Sequence, residues 1–326
     1  MCTLNTSKIS LPDHPLVVIV GPTAVGKTEV ALRLAERLDG EIISADSRLF
    51  YRGMDIGTAK PTAEEQARVP HHLVNVAEPD EPWSLAGFQR AAAEAIAGAH
   101  ARGRLPFLVG GTGQYIQAVL QGWEIPPQEP DPALREALER WGQAVGHEGL
   151  HRRLAVLDSE AAANIDSRNM RRTIRALEVV LCTGRRFSEQ RQRSNSPYAL
   201  LIIGLKRPRA ELYQRVDERI EGMLAAGLVE EVRGLLDKGY SPGLPTLSAI
   251  GYREICAYLQ GQMTMEDAVV QMKRMTRRFV RHQGAWFSEK DPTIHWFEVG
   301  EGTVEEIAAL IGDREAWAPA GSRRTV

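Results

Sequence analysis

The sequence predicts an α/β protein in which a parallel sheet core carries a helical insertion domain. Short apolar runs alternate with helical periods along most of the 326 residues, as is typical of a parallel sheet covered by helices. The alternation stops at the proline-rich segment 126–132, and the strand pattern resumes only at Tyr198. The expected parts are a core at 1–125 and 197–312 that includes C-terminal helices, a helical insertion at 126–196, and a polar, disordered tail at 313–326.

Five apolar runs are the predicted strands of the sheet: 16–20, 41–44, 105–109, 199–205 and a short last one at 294–297. A long loop follows the second run, and Ser84 is a candidate N-cap for a helix that reaches about Arg102. Ligands of parallel sheets bind beyond the carboxyl ends of the strands. We therefore expect the loops after the first three runs to share one edge and to form a site there.

The composition excludes several classes of protein. The formal net charge is −2, so no global basic field indicates nucleic acid as a partner. Cys2, Cys182 and Cys256 lie far apart without a Cys-x-x-Cys pair, which suits a reducing cytosol and argues against a zinc module or a disulfide scaffold. The N-terminal segment lacks the apolar core of a signal peptide, and no later run is long enough for a membrane helix. We expect a cytoplasmic protein without membrane contact.

The most specific motif is a complete phosphate-binding loop, Gly21-Pro22-Thr23-Ala24-Val25-Gly26-Lys27-Thr28, between the first predicted strand and a helical period. Glycine lets the backbone turn tightly, so that N–H groups converge on phosphate oxygens at a helix N-terminus. Lys27 adds a positive charge, and the Thr28 hydroxyl is a candidate ligand for Mg²⁺. The motif predicts a ligand with two or more phosphates and does not specify which.

Two residues in other loops are candidates for chemistry. Asp46 follows the second strand and could bind Mg²⁺, cap its own loop or accept a proton from a substrate nucleophile. Thr112 follows two glycines at the end of the third strand and is either a donor to a second phosphate or part of a simple tight turn. The segment 55–61 has no regular period, and so long a loop is usually functional. We interpret His71-His72 as structural, because neighbours on an extended segment point in opposite directions.

Two basic clusters resemble the phosphate contacts of a nucleic-acid-binding protein. The arginines of the first are Arg168, Arg171, Arg172, Arg175, Arg185, Arg186, Arg191 and Arg193, with Ile174, Leu177 and Leu181 on the apolar side of the helix. The second comprises Lys273, Arg274, Arg277, Arg278 and Arg281, with Met272, Met275, Phe279 and Trp286 as the expected buried stripe. Either cluster alone could be only a solvated face. Arg215 and Arg219, which flank an apolar helix face, are candidates for clamping a diphosphate.

Taken in order, the motifs resemble the tRNA dimethylallyltransferase family, also called tRNA isopentenyltransferases. The resemblance covers about residues 15–298 and rests on GPTAVGKT (21–28), SADSRLFYRGMDIGTAKP (44–61), PHHLVNV (70–76), VGGTGQY (109–115), NMRRTIRALE (169–178), GLVEEV (227–232), AIGYRE (249–254) and TRRFVRHQGAWF (276–287). The sequence departs from the family at Leu49, where many members have a glutamine that bonds the target adenine, and at Asn75, where aspartate is common.

The resemblance implies a P-loop NTPase-like core and an enzyme that transfers the dimethylallyl group of dimethylallyl diphosphate to N6 of adenine 37, beside the anticodon of tRNA. It implies that Asp46 is the general base, that Thr112 belongs to the reaction centre, and that residues 23–28 hold the diphosphate with Mg²⁺. The residues expected to contact the tRNA anticodon loop are Asp46, Ser47, Arg48, Leu49, Arg135, Asn169, Met170, Arg171, Arg172 and Thr173. We expect a monomer of the bacterial type, without a C-terminal zinc finger.

Three other functions share parts of this pattern. An isopentenyltransferase that acts on free AMP, ADP or ATP would use the same loop and base but has no need of an arginine-rich insertion. A small-molecule kinase would bind ATP at the same loop. A nucleotide-dependent RNA-binding switch would show no chemistry beyond hydrolysis.

Overall fold

The chain divides into two compact units in the computed structural model, which describes residues 11–81, 83–123, 131–189 and 196–318. The first unit comprises Met1–Gln121 and Asn195–Val326, and the second comprises Gly122–Ser194. The second unit thus begins four residues and ends two residues before the insertion that we expected at 126–196. Residues 126–130 of the proline-rich segment lie outside the described residues.

The first unit is built on a six-stranded sheet in which every pair of neighbouring strands is parallel, with the order β3-β2-β4-β1-β5-β6. The strands are β1 (Pro15–Val20), β2 (Gly40–Ser44), β3 (His71–His72), β4 (Leu105–Val109), β5 (Ala199–Lys206) and β6 (Ile294–Glu298). Central strands are continuous apolar runs because helices cover both faces of such a sheet. In the middle of the sheet, Val18 lies beside Leu108 on one side and Ile202 on the other.

Twelve α-helices occur among the described residues: α1 (Lys27–Arg37), α2 (Ala63–Arg68), α3 (Leu85–Ala101), α4 (Gly113–Leu120), α5 (Pro132–Leu157), α6 (Ser159–Ala163), α7 (Met170–Thr183), α8 (Arg209–Ala225), α9 (Leu228–Asp237), α10 (Tyr252–Leu259), α11 (Met265–Gln283) and α12 (Thr303–Gly312). In the described part of the chain, no helix combines the length and apolar character that crossing a membrane requires.

The second unit contains α5, α6 and α7 around its own small apolar core. Asp131 caps α5, with Pro132 in the first turn, and the helix is interrupted at Gly146, where φ is 73°. Ile174 and Leu177 of α7 are buried in this core, as the sequence predicted. Leu181, which the sequence placed on the same apolar side, is 52% exposed, so that side is buried only in part.

The segment after β2 contains two elements where the sequence predicted only a loop. Helix α2 begins with a capping box between Thr62 and Glu65, a signal that the sequence did contain. Strand β3 has only two residues, too few to show a period, and it is recognisable only through its pairing with β2. Within β3, His72 Nε2 lies 2.7 Å from Oε2 of Glu41 in the neighbouring strand β2. This contact between two strands agrees with a structural role for His72.

The C-terminal segment is folded further than expected. Residues Arg314–Ala316 form a 3₁₀ turn, and the following Trp317 is buried with its Nε1 donating to the Ile311 carbonyl at 3.0 Å. Ala318 pairs with Leu200 at the start of β5. Disorder from residue 313 onward was therefore a wrong prediction for 313–318, because one large aromatic side chain anchors a polar stretch to the core. Residues 319–326 lie outside the described residues.

Candidate functional site

The loops after β1, β2 and β4 line one cavity of about 440 Å³ in the first unit. Thr23 of the phosphate loop, Asp46 and Thr112 all face it, as the shared sheet edge predicted. Arg219 and Gln283 are among the other polar residues of the lining. The apolar part consists of Val216, Ile220, Met223, Met272, Phe279 and Trp286, together with smaller residues. One part of the cavity wall is therefore cationic and carries hydrogen-bonding groups, and another part is apolar. A single ligand in the cavity would contact both.

The lysine of the phosphate loop bonds to the backbone at the start of the same loop. Gly21 must be glycine, because φ is 149° and a Cβ there would lie 2.6 Å from the Leu205 carbonyl oxygen. Lys27 Nζ donates to the carbonyls of Gly21 at 2.9 Å and Pro22 at 2.8 Å. Gly26 is the N-cap of α1 in a left-handed conformation without a side-chain cap, so the first N–H groups of the helix receive no capping side chain. Thr28 follows on the exposed first turn.

Three side chains from distant parts of the chain hold the middle of the loop. Gln283 Oε1 accepts from Thr23 N at 2.7 Å. Arg215 Nε donates to the Ala24 carbonyl at 2.8 Å, which steadies a residue with a φ of 68°. Arg207 Nε donates to the Val25 carbonyl at 2.9 Å. The sequence did not single out Arg207 or Gln283, because neither contact leaves a local pattern.

Arg215 and Arg219 differ although the sequence suggested the same role for both. Arg219 lines the cavity, and its Nη2 also donates to the Thr58 carbonyl at 3.3 Å. Arg215 is not part of the lining and holds the phosphate loop through Ala24 instead. A direct clamp on a ligand therefore fits Arg219, whereas Arg215 braces the phosphate loop.

Asp46 and Thr112 lie on two corners that are hydrogen-bonded to each other. Thr112 Oγ1 accepts from Ser47 N at 3.2 Å, and Thr112 N donates to the Ala45 carbonyl at 3.3 Å. Asp46 Oδ1 accepts from Arg48 N at 3.0 Å, which is the loop-capping role that the sequence left open. The same carboxylate faces the cavity, so capping and a role at the ligand are compatible. The cap also fixes the orientation of the carboxylate.

The charges of the cavity are coupled. Burial lowers the pKa of Lys27 to about 8, with the negative charge of Asp46 opposing this shift and the positive charge of Arg219 adding to it. Burial also lowers the pKa of the Arg219 guanidinium, again opposed by Asp46. Two cations thus share one carboxylate in a poorly solvated space. An anionic ligand such as a phosphate would restore the charge balance and stabilise both cations.

A single carboxylate organises the loop 55–58, part of which lines the cavity. Glu231 Oε2 accepts from Asp55 N at 2.8 Å and Ile56 N at 2.7 Å. Its Oε1 accepts from Gly57 N at 3.1 Å and from the Tyr252 hydroxyl at 2.6 Å. The loop that the sequence marked as functional is therefore held rigidly at the cavity wall, and the residue that holds it was not predicted.

Two aromatic residues of the expected buried stripe line the cavity instead of the core. Met272 is 1% exposed, as predicted, but Phe279 is 44% and Trp286 is 43% exposed. A Cβ on Gly113 would lie 2.2 Å from the Trp286 ring, so glycine makes room for the indole. The prediction failed for Phe279 and Trp286 because a helical period identifies an apolar face and does not reveal whether that face meets core or cavity.

The second basic cluster is neutralised only in part. Lys273 Nζ donates to Glu221 at 2.8 Å and Arg277 Nη2 to Asp217 at 2.5 Å. Arg281 Nη1 donates to the Tyr213 hydroxyl at 3.1 Å. Among the described residues, Arg274 and Arg278 of this cluster have no ion-pair partner. The charges of Lys273 and Arg277 are therefore compensated within the first unit, whereas the other charges of the cluster keep no carboxylate partner among the described residues.

Of the core residues expected to contact tRNA, Ser47 and Arg48 line the cavity and Leu49 does not. Arg48 Nη1 donates to the Thr246 carbonyl at 3.2 Å, so its guanidinium is anchored to another loop. The Leu49 carbonyl accepts from Asn75 N at 3.1 Å, which connects the two positions that depart from the family pattern. Leu49 has no polar side-chain atom with which to replace a glutamine.

Some arginines of the second unit are free and others are paired. Arg171 and Arg172 are exposed, and their guanidinium groups have no partner among the described residues. Arg168 pairs with Asp166 at 2.7 Å. The fully buried Glu178 accepts from Arg135 at 2.7 Å and also pairs with Arg175. Arg191 and Arg193 lie outside the described residues.

Three neighbours of these arginines serve the fold. Asn169 Oδ1 accepts from Arg172 N at 3.2 Å and caps α7. Met170 packs against the apolar core of the second unit. Thr173 is fully buried, so its side chain lies in the interior of the second unit, and the contact of this residue with tRNA stays a prediction. The motif reaches Thr173 because it also builds the helix that presents the arginines.

Comparisons with known protein sequences agree on one family. A family model described as IPP transferase matches residues 49–290. A tRNA dimethylallyltransferase of Roseiflexus sp. (strain RS-1) is 54% identical over 297 residues, which cover 91% of this chain and 97% of that protein. A tRNA dimethylallyltransferase of Thermomicrobium roseum is 50% identical over 294 residues, which cover 90% of this chain and 89% of that protein.

Solved structures are similar over most of the chain as well. The full-length tRNA isopentenylpyrophosphate transferase of Bacillus halodurans has 44% sequence identity and a TM-score of 0.68, covering 92% of this chain and 96% of that one. A eukaryotic dimethylallyltransferase acting on tRNA has 25% identity and a TM-score of 0.78, covering 91% of this chain and 78% of that one.

Proposed function

The chain belongs to the IPP transferase family, and we propose that it transfers a dimethylallyl group from dimethylallyl diphosphate to N6 of adenine 37 in tRNA. The observation that carries this proposal is the cavity in which a phosphate loop, a carboxylate and an apolar wall face the same space. The enzyme is expected to act as a monomer in the cytoplasm, on the anticodon loop of its substrate.

The two walls of the cavity match the two ends of an isoprenoid diphosphate. The N–H groups at the start of α1, Lys27 and Arg219 suit a diphosphate, because they combine helix-terminal donors with two cations. Phe279 and Met272 contribute to an apolar surface for the dimethylallyl tail.

Asp46 is proposed to act as the general base. The lone pair of the exocyclic amine of adenine is delocalised into the ring, so N6 is a poor nucleophile. As the bond from N6 to C1 of the donor forms, the bond from C1 to the diphosphate oxygen breaks and the N6 proton passes to the Asp46 carboxylate. Lys27 and Arg219 stabilise the negative charge that accumulates on the departing diphosphate. Thr112 fixes this corner by accepting from Ser47 N.

The residues of the loop fit a Mg²⁺ ion that enters with the diphosphate. Within the described residues, no three His, Cys, Asp or Glu side chains are grouped to hold a metal ion alone. Mg²⁺ keeps several waters and takes oxygens of the substrate phosphates, and in phosphate loops of this pattern the Thr hydroxyl binds it as well, so Thr28 is the residue that would hold the ion. When bound, the ion supplies further positive charge to the leaving group.

The tRNA is proposed to contact Arg171 and Arg172 of α7. These are exposed and unpaired within the described residues, and guanidinium groups of that kind are available for phosphates. The target adenine must leave its stack to enter a cavity, and single-stranded loops allow this most easily. A free adenine nucleotide needs no such arginines, which favours tRNA as the acceptor.

One assay tests the proposal against its alternatives. Labelled dimethylallyl diphosphate or labelled ATP is supplied with either tRNA or AMP, with and without Mg²⁺. The proposal expects label on tRNA only from the isoprenoid donor and only with Mg²⁺, and nuclease mapping should locate it at N6 of adenine 37. Label on AMP, or phosphate transferred from ATP, would contradict it. Nucleotide-dependent RNA affinity without covalent change would indicate a binding switch.

A further inference from the structure

Trp141 is a large aromatic residue on the surface of helix α5 in the second unit. It is 39% exposed and is not among the residues that form or pack against the apolar core of the unit. The guanidinium of Arg153 lies over its ring, with Cζ 5.9 Å from the ring centre. Such a cation–π contact holds the indole and the guanidinium together at the surface without burying either of them.

The break in α5 at Gly146 brings these two residues together. Trp141 and Arg153 are twelve positions apart, which would separate them by about 18 Å along a straight helix. At Gly146, φ is 73° and ψ is 164°, so the second half of α5 leaves the axis of the first. A Cβ on Gly142 would accordingly lie 3.2 Å from Leu150 Cδ2, on the other side of the break. The pair is therefore a product of the fold rather than of helical spacing.

The same end of the second unit carries free arginines. A Cβ on Gly142 would lie 3.1 Å from Met170 Sδ, so the turn of α5 that contains Trp141 packs beside the start of α7. Arg171 and Arg172 follow Met170, exposed and without side-chain partners among the described residues. An exposed indole thus lies near guanidinium groups that are available to bind phosphate.

We infer that Trp141, with Arg153 on its ring, is a stacking platform for an unpaired base of the tRNA, and this inference rests on the proposed function. A base stacks on an indole or on a guanidinium plane, whereas Arg171 and Arg172 suit the phosphates of the same RNA. A paired base is already stacked within its helix and has no free face for the indole. A protein partner fits less well, because an apolar contact here would strip water from the arginines without supplying a phosphate.

The affinities for two RNAs, measured by filter binding, test the inference. One is an anticodon stem-loop RNA with adenine at position 37, and the other is a blunt duplex with the same number of phosphates. Trp141→Ala should weaken stem-loop binding about tenfold and duplex binding by less than about twofold. The slope of log K against log salt should not change, because the indole carries no charge.

Two further variants sharpen the experiment. Trp141→Phe keeps an aromatic ring and should retain most of the affinity for the stem-loop. Val156→Ala truncates an 83% exposed apolar residue of the same helix and should leave the affinity for both RNAs unchanged. Stacking on a base also quenches indole fluorescence, so the stem-loop should quench the emission of the wild type more than that of Trp141→Phe.

The inference is overturned if Trp141→Ala melts like the wild type and binds the stem-loop as tightly, or if it weakens duplex binding equally. If Trp141→Ala does not fold, the fluorescence of Trp141→Phe decides, and equal quenching of this variant and the wild type contradicts the inference. A wild type without affinity for the stem-loop would remove tRNA as the proposed acceptor together with this inference. Normal affinity that Trp141→Ala leaves unchanged removes the inference alone.

Discussion

Arginines serve different purposes in the cavity of the first unit and on helix α7 of the second. In the cavity region, Arg207, Arg215 and Arg219 each donate to a backbone carbonyl, so their charges are held in fixed positions. On α7, Arg171 and Arg172 are exposed, without a side-chain partner in the described residues. The first arrangement suits chemistry, which needs geometry, and the second suits affinity, which needs accessible charge. The two functions should therefore be separable by mutation.

The largest effect is expected on the rate of transfer when Asp46, the proposed base, is replaced. Asp46→Asn removes the base while its amide oxygen can still accept from Arg48 N, so the loop should keep its shape. We expect the single-turnover rate of transfer to fall by about a thousandfold. The affinity for tRNA, measured by filter binding, should stay within about twofold, because the substitution changes the charge of only one side chain. An equal loss of tRNA binding would contradict the assignment of Asp46 as the base.

A smaller effect is expected on the affinity for tRNA when the free arginines of α7 are replaced. Replacing Arg171 and Arg172 together by alanine should weaken tRNA binding about tenfold and lower the slope of log K against log salt by about 1.5. The matched control replaces Arg33 and Arg37, which pair with Glu305 on the surface of the first unit and change the net charge equally. If the control flattens the salt dependence as much as the α7 variant, the effect is one of net charge and α7 has no special role.

The smallest effect is expected on the pH dependence of kcat/KM, through the titration of Lys27. Burial lowers the pKa of Lys27 to about 8, so in the free enzyme the ammonium is charged below this pH and neutral above it. A diphosphate binds the charged form, so kcat/KM for the donor should be level well below pH 8, fall to about half at pH 8 and to about a quarter at pH 8.5. Lys27→Arg keeps its charge and should lose this decline. A decline that persists unchanged in Lys27→Arg would assign it to another group.

The sequence predicted the parts of the site that depend on local pattern. The phosphate loop has fixed spacing and needs glycine at Gly21, so eight residues suffice to recognise it. Asp46 and Thr112 could be placed with it because parallel strands end at one edge of the sheet. These three predictions follow from short-range rules about turns and strand direction, and the cavity lining includes a residue from each loop.

The rest of the site depends on contacts that a sequence does not display. Gln283 meets Thr23 across 260 positions of the chain, and a lone glutamine at the end of a basic helix carries no signal of that contact. Arg215 and Arg219 lie one helical turn apart, yet one braces the loop and the other faces the cavity. The rotation of α8 against the loop decides between them, and this rotation is set by tertiary packing rather than by the period of the helix.

The separation of chemistry from affinity is tested most directly by single-turnover transfer at saturating tRNA, where differences in tRNA binding no longer affect the rate. Under this condition the Arg171→Ala, Arg172→Ala double variant should recover to within about twofold of the wild type, because it retains the whole cavity. Asp46→Asn should remain about a thousandfold slower at every tRNA concentration. A double variant that stays slow at saturation, or an Asp46→Asn enzyme that recovers, would contradict the account.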